Sequence, residues 1–268
     1  MPDTTISRTS RNRDGIANTL IVAVGVSLFC SVLVSAAAVI LKPEQQRNEE
    51  LYRQRIVLDV AGIYEAGGDI EAQFSAIDTR LVELQTGTYV SGIDPQSFDA
   101  LEARNDPDVS IRVPPELDIA GIRRRSIYSP VYLVRDGDTL TQIVLPVYGS
   151  GLWSRMHGFL SLEPDGNTIR GLQFYEHGET PGLGDQIDKP DWRAQWSGKL
   201  LTDETGQLRI EVVRGKVIAG EGDEHQVDGL AGATLTGRGV THLLQYWMGP
   251  HGFGPYLQKI AEGNANNG

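Results

Sequence analysis

The sequence predicts an α+β protein: one long apolar N-terminal helix, then a folded part built on antiparallel strands with flanking helices. Three observations predict it. An uncharged apolar run lies near the N-terminus, and short strand-like runs in the C-terminal half are split by glycine-bearing turns. Runs with helical periodicity are segregated from those hairpins. Composition sets the outer bounds. Hydrophobic residues make up 40% and charged residues 22%, ordinary values for a globular chain. The 35 acidic residues outnumber the 24 basic ones, giving a net charge of -11. Such a net-acidic surface repels nucleic-acid phosphates, so nucleic-acid binding is not expected. Cys30 is the single cysteine, so no intramolecular disulfide is possible, and within the apolar run it reads as a small hydrophobe.

The apolar run comes first. No charge falls between Gly15 and Leu41, and Thr19–Leu41 as a helix would span about 34 Å, enough to cross a bilayer with some tilt. Ala36, Ala37 and Ala38 could imitate a signal-peptide cleavage site, but the apolar region is too long for one. Arg8, Arg11 and Arg13 precede the span, while Glu44, Glu49 and Glu50 follow it. This asymmetry predicts a cytoplasmic N-terminus and an extracytoplasmic soluble part. The span holds hydroxyls but no ionisable pair, so it anchors and leaves ion movement to other chains.

Beyond Glu44 the pattern turns polar and helical, with Ile56, Val57, Val60, Ile63 and Tyr64 on one face and Gly67-Gly68 as the stop. A second helical run is expected over Asp69–Leu84, capped by Asp69 and carrying Ile70, Phe74, Ile77 and Leu81. Residues 86–121 read as loop. Hairpins follow: Val131–Val134 with Thr141–Val147 about Asp136-Gly137, and Met156–Leu162 with Thr168–Tyr175 about Pro164–Asn167. A third is expected between Leu208–Arg214 and Lys216–Ala219 about Gly215. A short helix is expected over Asp191–Trp196 and a longer one over Arg238–Met248. The resulting boundaries are a tail at 1–18, the membrane helix at 19–41, a helical and loop region at 42–127 and a ligand-binding domain at 128–268.

Three segments could carry chemistry. Asp228–Arg238 (DGLAGATLTGR) is a run of small residues entering a helix, where unpaired backbone N–H groups favour an anion. Gly232 and Ala233 would let backbone approach a phosphate, and Thr234 offers a hydroxyl. On local features alone, Thr-X-Thr before a helix is usually an N-cap. Glu176–Gly184 (EHGETPGLG) is a loop with a specified backbone path suited to covering a planar ligand, and Tyr148–Trp153 (YGSGLW) brings an aromatic residue to a strand end. Either could equally be a plain hairpin connection. The five histidines are not spaced as a metal site, and His177 with Glu179 sits on a loop, so no metal is expected.

Taken together, YGSGLW, HGETPGLG and DGLAGATLT, in this order behind one membrane helix, closely resemble the C subunit of the sodium-translocating NADH:quinone reductase. The resemblance extends over GGDIEAQF and PDGNTIRGLQFYEHGETPGLG, most of the chain. It implies an FMN-binding domain in which a flavin transferase esterifies FMN through its phosphate to the threonine after Gly-Ala, here Thr234. Asp228, Gly232, Ala233 and Thr236 match that motif, whereas Ala231 stands where many members have Ser or Thr. The resemblance further implies that Asp228 and Thr236 order the turn, and that Thr180, Leu183 and Trp153 or Leu152 contact the ring. Glu179 would bind the cofactor or the loop backbone, and Lys216 would balance charge. The implied role is electron relay from NADH towards ubiquinone, coupled to sodium export, in a bacterial inner-membrane complex. Because the chain has no nicotinamide-binding fingerprint, NADH oxidation falls to a partner. The G subunit of the Rnf complex, a membrane-anchored flavin-binding regulator, and a structural protein whose Thr234 merely caps a helix remain the alternatives.

Overall fold

The computed structural model describes residues 15–220 and 222–263. The three arginines on which the predicted orientation rests, and most of the predicted tail, lie outside them. The described chain falls into two units, divided between Glu50 and Leu51. Helix α1 spans Ile16–Val60, and its apolar part is long enough to cross a membrane. It absorbs both predicted N-terminal helices, running through Pro43, and stops at Gly62 (φ +70°) rather than at Gly67-Gly68.

The second unit is a six-stranded antiparallel sheet in the order β2-β1-β5-β6-β7-β8. Its strands are β1 (Asp78–Glu83), β2 (Thr88–Tyr89), β5 (Tyr128–Asp136), β6 (Thr139–Ser150), β7 (Arg155–Leu162) and β8 (Ile169–Glu176). The ribbon β3 (Ser110–Arg112) with β4 (Arg124–Ser126) stands beside it. The two hairpins about Asp136-Gly137 and Pro164–Asn167 form as their turn residues predict, and Gly137 and Gly166 both adopt positive φ.

Period-two alternation sends side chains to two cores. On one face Leu133, Ile143, Leu145, Val147 and Leu160 pack with residues of α5 (Thr234–Trp247) and α6 (Gly254–Ala261). On the other, Val134, Val144 and Phe159 meet Ile56, Val57 and Leu58 of α1, with Ile70 and Phe74 of α2 (Ile70–Phe74) packed against them. Buried Gln142 fastens that second layer, donating to the Ala61 carbonyl at 2.9 Å and accepting from the Ser161 hydroxyl at 3.0 Å.

Three sequence expectations are corrected. Asp69 caps a helix as predicted, accepting from the N–H groups of Glu71 and Ala72, but that helix has only 5 residues. Ile77 closes the turn and 78–83 become β1, because pairing with β5 over six positions satisfies every second backbone group on each side and lets Leu81 and Val82 both bury. Tertiary pairing overrides a three-four periodicity too short to hold a helix alone. Within the predicted loop, β2, β3 and the short α3 (Ala100–Ala103) form. The third hairpin does not form. Gly215 turns with φ +82°, but Val217 N–H goes to the Asp228 carboxylate and Gly215 carbonyl accepts from Gly229 N–H. The strand that does form, β9 (Glu211–Val212), pairs in parallel with β10 (Gln226–Val227). The predicted tryptophan helix is α4 (Pro190–Arg193) continued by a 3-10 turn, with Trp192 and Trp196 edge-on at 5.4 Å.

Helix α5 lies unusually close to β6. Trp247 Nε1 donates to the Tyr148 carbonyl at 2.6 Å. A Cβ on Gly239 would come within 2.6 Å of the Ser150 carbonyl, and one on Gly149 within 3.1 Å of Leu243. Gly239→Ala therefore sets two effects against each other. Alanine is the better helix former by about 1 kcal/mol, while overpacking against fixed backbone costs about 1–3 kcal/mol. Packing is expected to win, giving a net loss of up to about 2 kcal/mol in denaturant unfolding of the purified chain.

His157, 7% exposed on β7, stacks on Tyr148 at 5.5 Å. Burial first, then Arg104 and Arg155, push its pKa down to about 4. Since the unfolded value is about 6.5, the unfolded chain alone holds this proton between those limits. Stability is full above about pH 6.5 and falls as pH drops towards 4, by at most about 3 kcal/mol from this group. His157→Phe is expected to flatten that part of a melting-temperature-versus-pH curve.

Candidate functional site

The site forms where three segments far apart in sequence meet at the start of α5. Gly232 turns the chain with φ +73°, Ala233 is the N-cap, and Thr234 is the first helical residue, four positions earlier than Arg238 where the periodicity placed the start. No side chain caps this helix. The N-cap reading of Thr234 is thereby overturned, since its hydroxyl has no such duty and the side chain is exposed. Thr236 lies two residues on, about 200° round the helix, and is buried. The two threonines thus face opposite ways, one outward and one into the protein.

Inward, Thr236 donates to Glu179 Oε2 at 2.5 Å, and the N–H of Trp153 donates to Glu179 Oε1 at 3.1 Å. Glu179 is 5% exposed. Two glycines make room for it: a Cβ on Gly151 would collide with Glu179 Oε1, and one on Gly184 would fall 2.8 Å from Oε2. The loop holding Glu179 also reaches the motif at two further points. Leu183 lies over Gly232, where a Cβ would come within 2.8 Å of its Cδ2, and Gln186 Nε2 donates to the Ala231 carbonyl at 3.0 Å.

Outward, Thr234 opens on a cleft of about 480 Å³ between α5 and residues 211–215. Thr234, Arg238 and His242 line it from the helix, facing Val213, Arg214 and Gly215. Burial and the adjacent Arg238 hold His242 below the usual histidine range, so it stands neutral at pH 7 and leaves the positive charge to the arginines. A cleft of this size falls within the range of small-molecule sites. Uncapped N–H groups at a helix start, an exposed hydroxyl, Arg238 one turn on and Arg214 across the cleft suit a phosphate-bearing group. The donor set therefore fits an FMN phosphate.

The remaining candidates are distributed around this centre. Asp228 spends Oδ1 on Val217 N–H at 2.8 Å, its N–H on Gln195 Oε1 at 3.0 Å and its carbonyl on Trp192 Nε1 at 2.8 Å, so it orders the turn before the motif. Lys216 stands 90% exposed with Nζ 3.8 Å from Asp228. The Thr180 carbonyl accepts from Leu183 N–H at 3.1 Å, shaping the loop, and Trp153 projects its indole into solvent, 71% exposed. Trp153, Thr180 and Leu183 do not line the cleft. Sequence reasoning missed Arg214, Arg238 and His242. The four-residue spacing of Thr234, Arg238 and His242 was the available signal, since it puts all three on one helix face. His177 Nε2 pairs with Asp188 at 2.7 Å, and among the described residues no group of three or more His, Cys, Asp or Glu is placed for a metal.

Comparison with known proteins agrees with this geometry. The FMN-binding domain family matches residues 151–249, a stretch containing Glu176–Gly184, Asp228–Arg238 and the second half of Tyr148–Trp153. The chain is 47% identical over 263 residues to the C subunit of the Na(+)-translocating NADH-quinone reductase of Yersinia pestis, with 96% of this chain and 98% of that protein covered. Against the corresponding protein of Pseudomonas aeruginosa the identity is 46%, covering 95% and 99%. The crystal structure of Shewanella oneidensis NqrC superimposes with a TM-score of 0.72 at 39% identity, covering 78% of this chain and 96% of that one. Near full-length likeness at this identity, together with a site fitted to the phosphate end of FMN, means that the chain belongs to the NqrC family, the C subunits of Na+-translocating NADH-quinone reductases.

Proposed function

We propose that this chain carries FMN as a phosphoester on Thr234 and relays electrons from NADH towards ubiquinone within a sodium-exporting complex. The observation that carries the reading is the pair of threonines: Thr236 is committed inward to Glu179, whereas Thr234 is exposed, free of capping duty and open to a cleft with Arg238. When bound, FMN supplies reversible electron transfer that no side chain here could perform. The protein's own part is to hold and orient it. The uncapped N–H groups of the first turn and the guanidinium of Arg238 balance the phosphoester charge. Arg214 closes the other side of the cleft. Thr180, Leu183 and Trp153 form the apolar and hydrogen-bonding rim for the ring, while Lys216 adds positive charge outside it.

The apolar part of α1 anchors the chain in the bacterial inner membrane, with the N-terminus cytoplasmic and the sheet domain periplasmic. NADH oxidation and sodium movement belong to partner subunits, since the sequence has no nicotinamide-binding fingerprint and no charged group within Gly15–Leu41. A flavin transferase installs the cofactor. An exported protein meets no free FMN pool, so a covalent bond prevents loss.

Intact and peptide mass spectrometry of the chain co-expressed with a flavin transferase is expected to show the mass of FMN less water on the Thr234 peptide, absent in Thr234→Ala. No adduct despite an active transferase would sink the reading. Arg238→Gln is expected to leave the adduct in place while shifting the flavin's midpoint potential downward, since removing a nearby cation disfavours the more negative reduced state. Potentiometric titration measures that shift, and an unchanged or raised potential would remove Arg238 from the site.

A further inference from the structure

The sequence motifs suggested that Glu179 touches the cofactor or the loop backbone; its geometry points to a different task. Both carboxylate oxygens are already engaged within the protein, one by the Thr236 hydroxyl and one by the Trp153 N–H. No lysine, arginine or histidine lies within ion-pairing distance of it among the described residues. A buried carboxylate without a cationic partner is costly, so hydrogen bonds must hold it. Its place is also built in advance, because neither Gly151 nor Gly184 could carry a Cβ there. An acid this enclosed, in contact with all three motif segments and with neither oxygen spare, is a latch.

We infer that Glu179 is the positioning residue for flavin attachment, setting the presentation of Thr234 through Thr236. This rests on the assignment of Thr234 as acceptor. The mechanism is geometric. Thr236 and Thr234 share the uncapped first turn of α5, which lacks a side chain to fix its start and would fray. The Glu179–Thr236 bond ties that turn to the 151–153 and 179–184 segments and orients the outward hydroxyl. In the transfer the Thr234 Oγ–phosphorus bond forms, the phosphoanhydride bond of FAD breaks, AMP departs and the hydroxyl proton passes to a base on the transferase. Glu179 touches none of these atoms; it holds the acceptor still while they react. The same carboxylate fixes the backbone at Trp153, so its loss should reach the solvent-exposed indole too.

The test compares flavinylation rates of the full-length chain in detergent, using a purified flavin transferase and FAD, read by mass spectrometry. Glu179→Ala and Thr236→Val are each expected to slow attachment by roughly 10-fold or more, since a misplacement of about 1 Å at a reacting group can cost on the order of 100-fold. The double variant should be no slower than the worse single one, because both remove the same contact. Thr236→Ser keeps the hydroxyl and should restore the wild-type rate, and Glu179→Gln, which keeps one acceptor, should recover part of it. Trp153 fluorescence should shift in Glu179→Ala but not in Thr236→Val. Gln142→Leu, which removes the Gln142–Ala61 bond on the opposite face of the sheet, controls for general destabilisation and should leave the rate unchanged. Wild-type rates in Glu179→Ala and Thr236→Val would overturn the latch alone, as would an equal slowing in Gln142→Leu. No adduct on wild-type Thr234 would overturn the latch together with the acceptor assignment on which it rests.

Discussion

Helix α5 touches β6 almost backbone to backbone, and the directions of Thr234 and Thr236 follow from that approach. Ordinary helix-on-sheet packing keeps the layers well apart because side chains stand between them. Here Gly239 meets the Ser150 carbonyl and Gly149 meets Leu243, with the Trp247 indole bonded to the Tyr148 carbonyl further along. Contacts at both ends fix the helix in rotation as well as translation. Rotation is what matters for the proposed function, because Thr234 and Thr236 would exchange directions if the helix turned by half a revolution. The glycines that lower helix propensity in TLTGRGV are thus the condition for pointing Thr234 outward.

Given that fixed helix, the rest of the site assembles by short-range commitments. The end of β6 runs into Gly151–Trp153, whose backbone reaches Glu179; the loop after β8 brings Glu179 beneath the helix start and Leu183 over Gly232. The segment before the helix is held separately by Asp228, which bonds Val217 and, through its own backbone, Gln195 and Trp192. These are mostly side-chain-to-backbone bonds, each worth about 1 kcal/mol net. None would order a loop by itself. Their effect comes from closing a ring around the start of α5, so that the loss of one leaves buried polar groups unpaired elsewhere.

The fold was legible in the sequence where local signals and tertiary demands coincide. Asp136-Gly137 and Pro164–Asn167 gave correct hairpins because those turns dictate their own strand pairing. Asp69 was correctly read as a cap, yet the helix it begins ends after one turn, since β5 supplies a partner strand that no local pattern announces. Gly215 was a real turn, but the expected third hairpin failed because Asp228 and Gly229, a dozen residues away, take the backbone groups that hairpin needed. At the site, resemblance singled out Thr234 as the expected acceptor, whereas its outward direction required the helix start. That start came four residues early, at an alanine N-cap with no side-chain signature. Glu179 was visible as a loop acid and its engagement with Thr236, 57 residues on, was not.

The cleft beside Thr234 also gives a physical reason for a covalent tether on the proposed reading. The open groove, in which Leu235 is the exposed apolar side chain, offers a ring contact on few sides. Non-covalent binding there would be limited in affinity, and occupancy would track the concentration of free flavin. Deepening the pocket would raise affinity but would also distance the ring from partner proteins that must exchange electrons with it. An ester to Thr234 separates the two demands, since retention comes from the bond and accessibility from the shallow rim. It leaves the protein only to hold orientation and charge. The uncapped first turn, Arg238 and the Glu179–Thr236 bond are suited to that task, and none of them requires the ring to be enclosed.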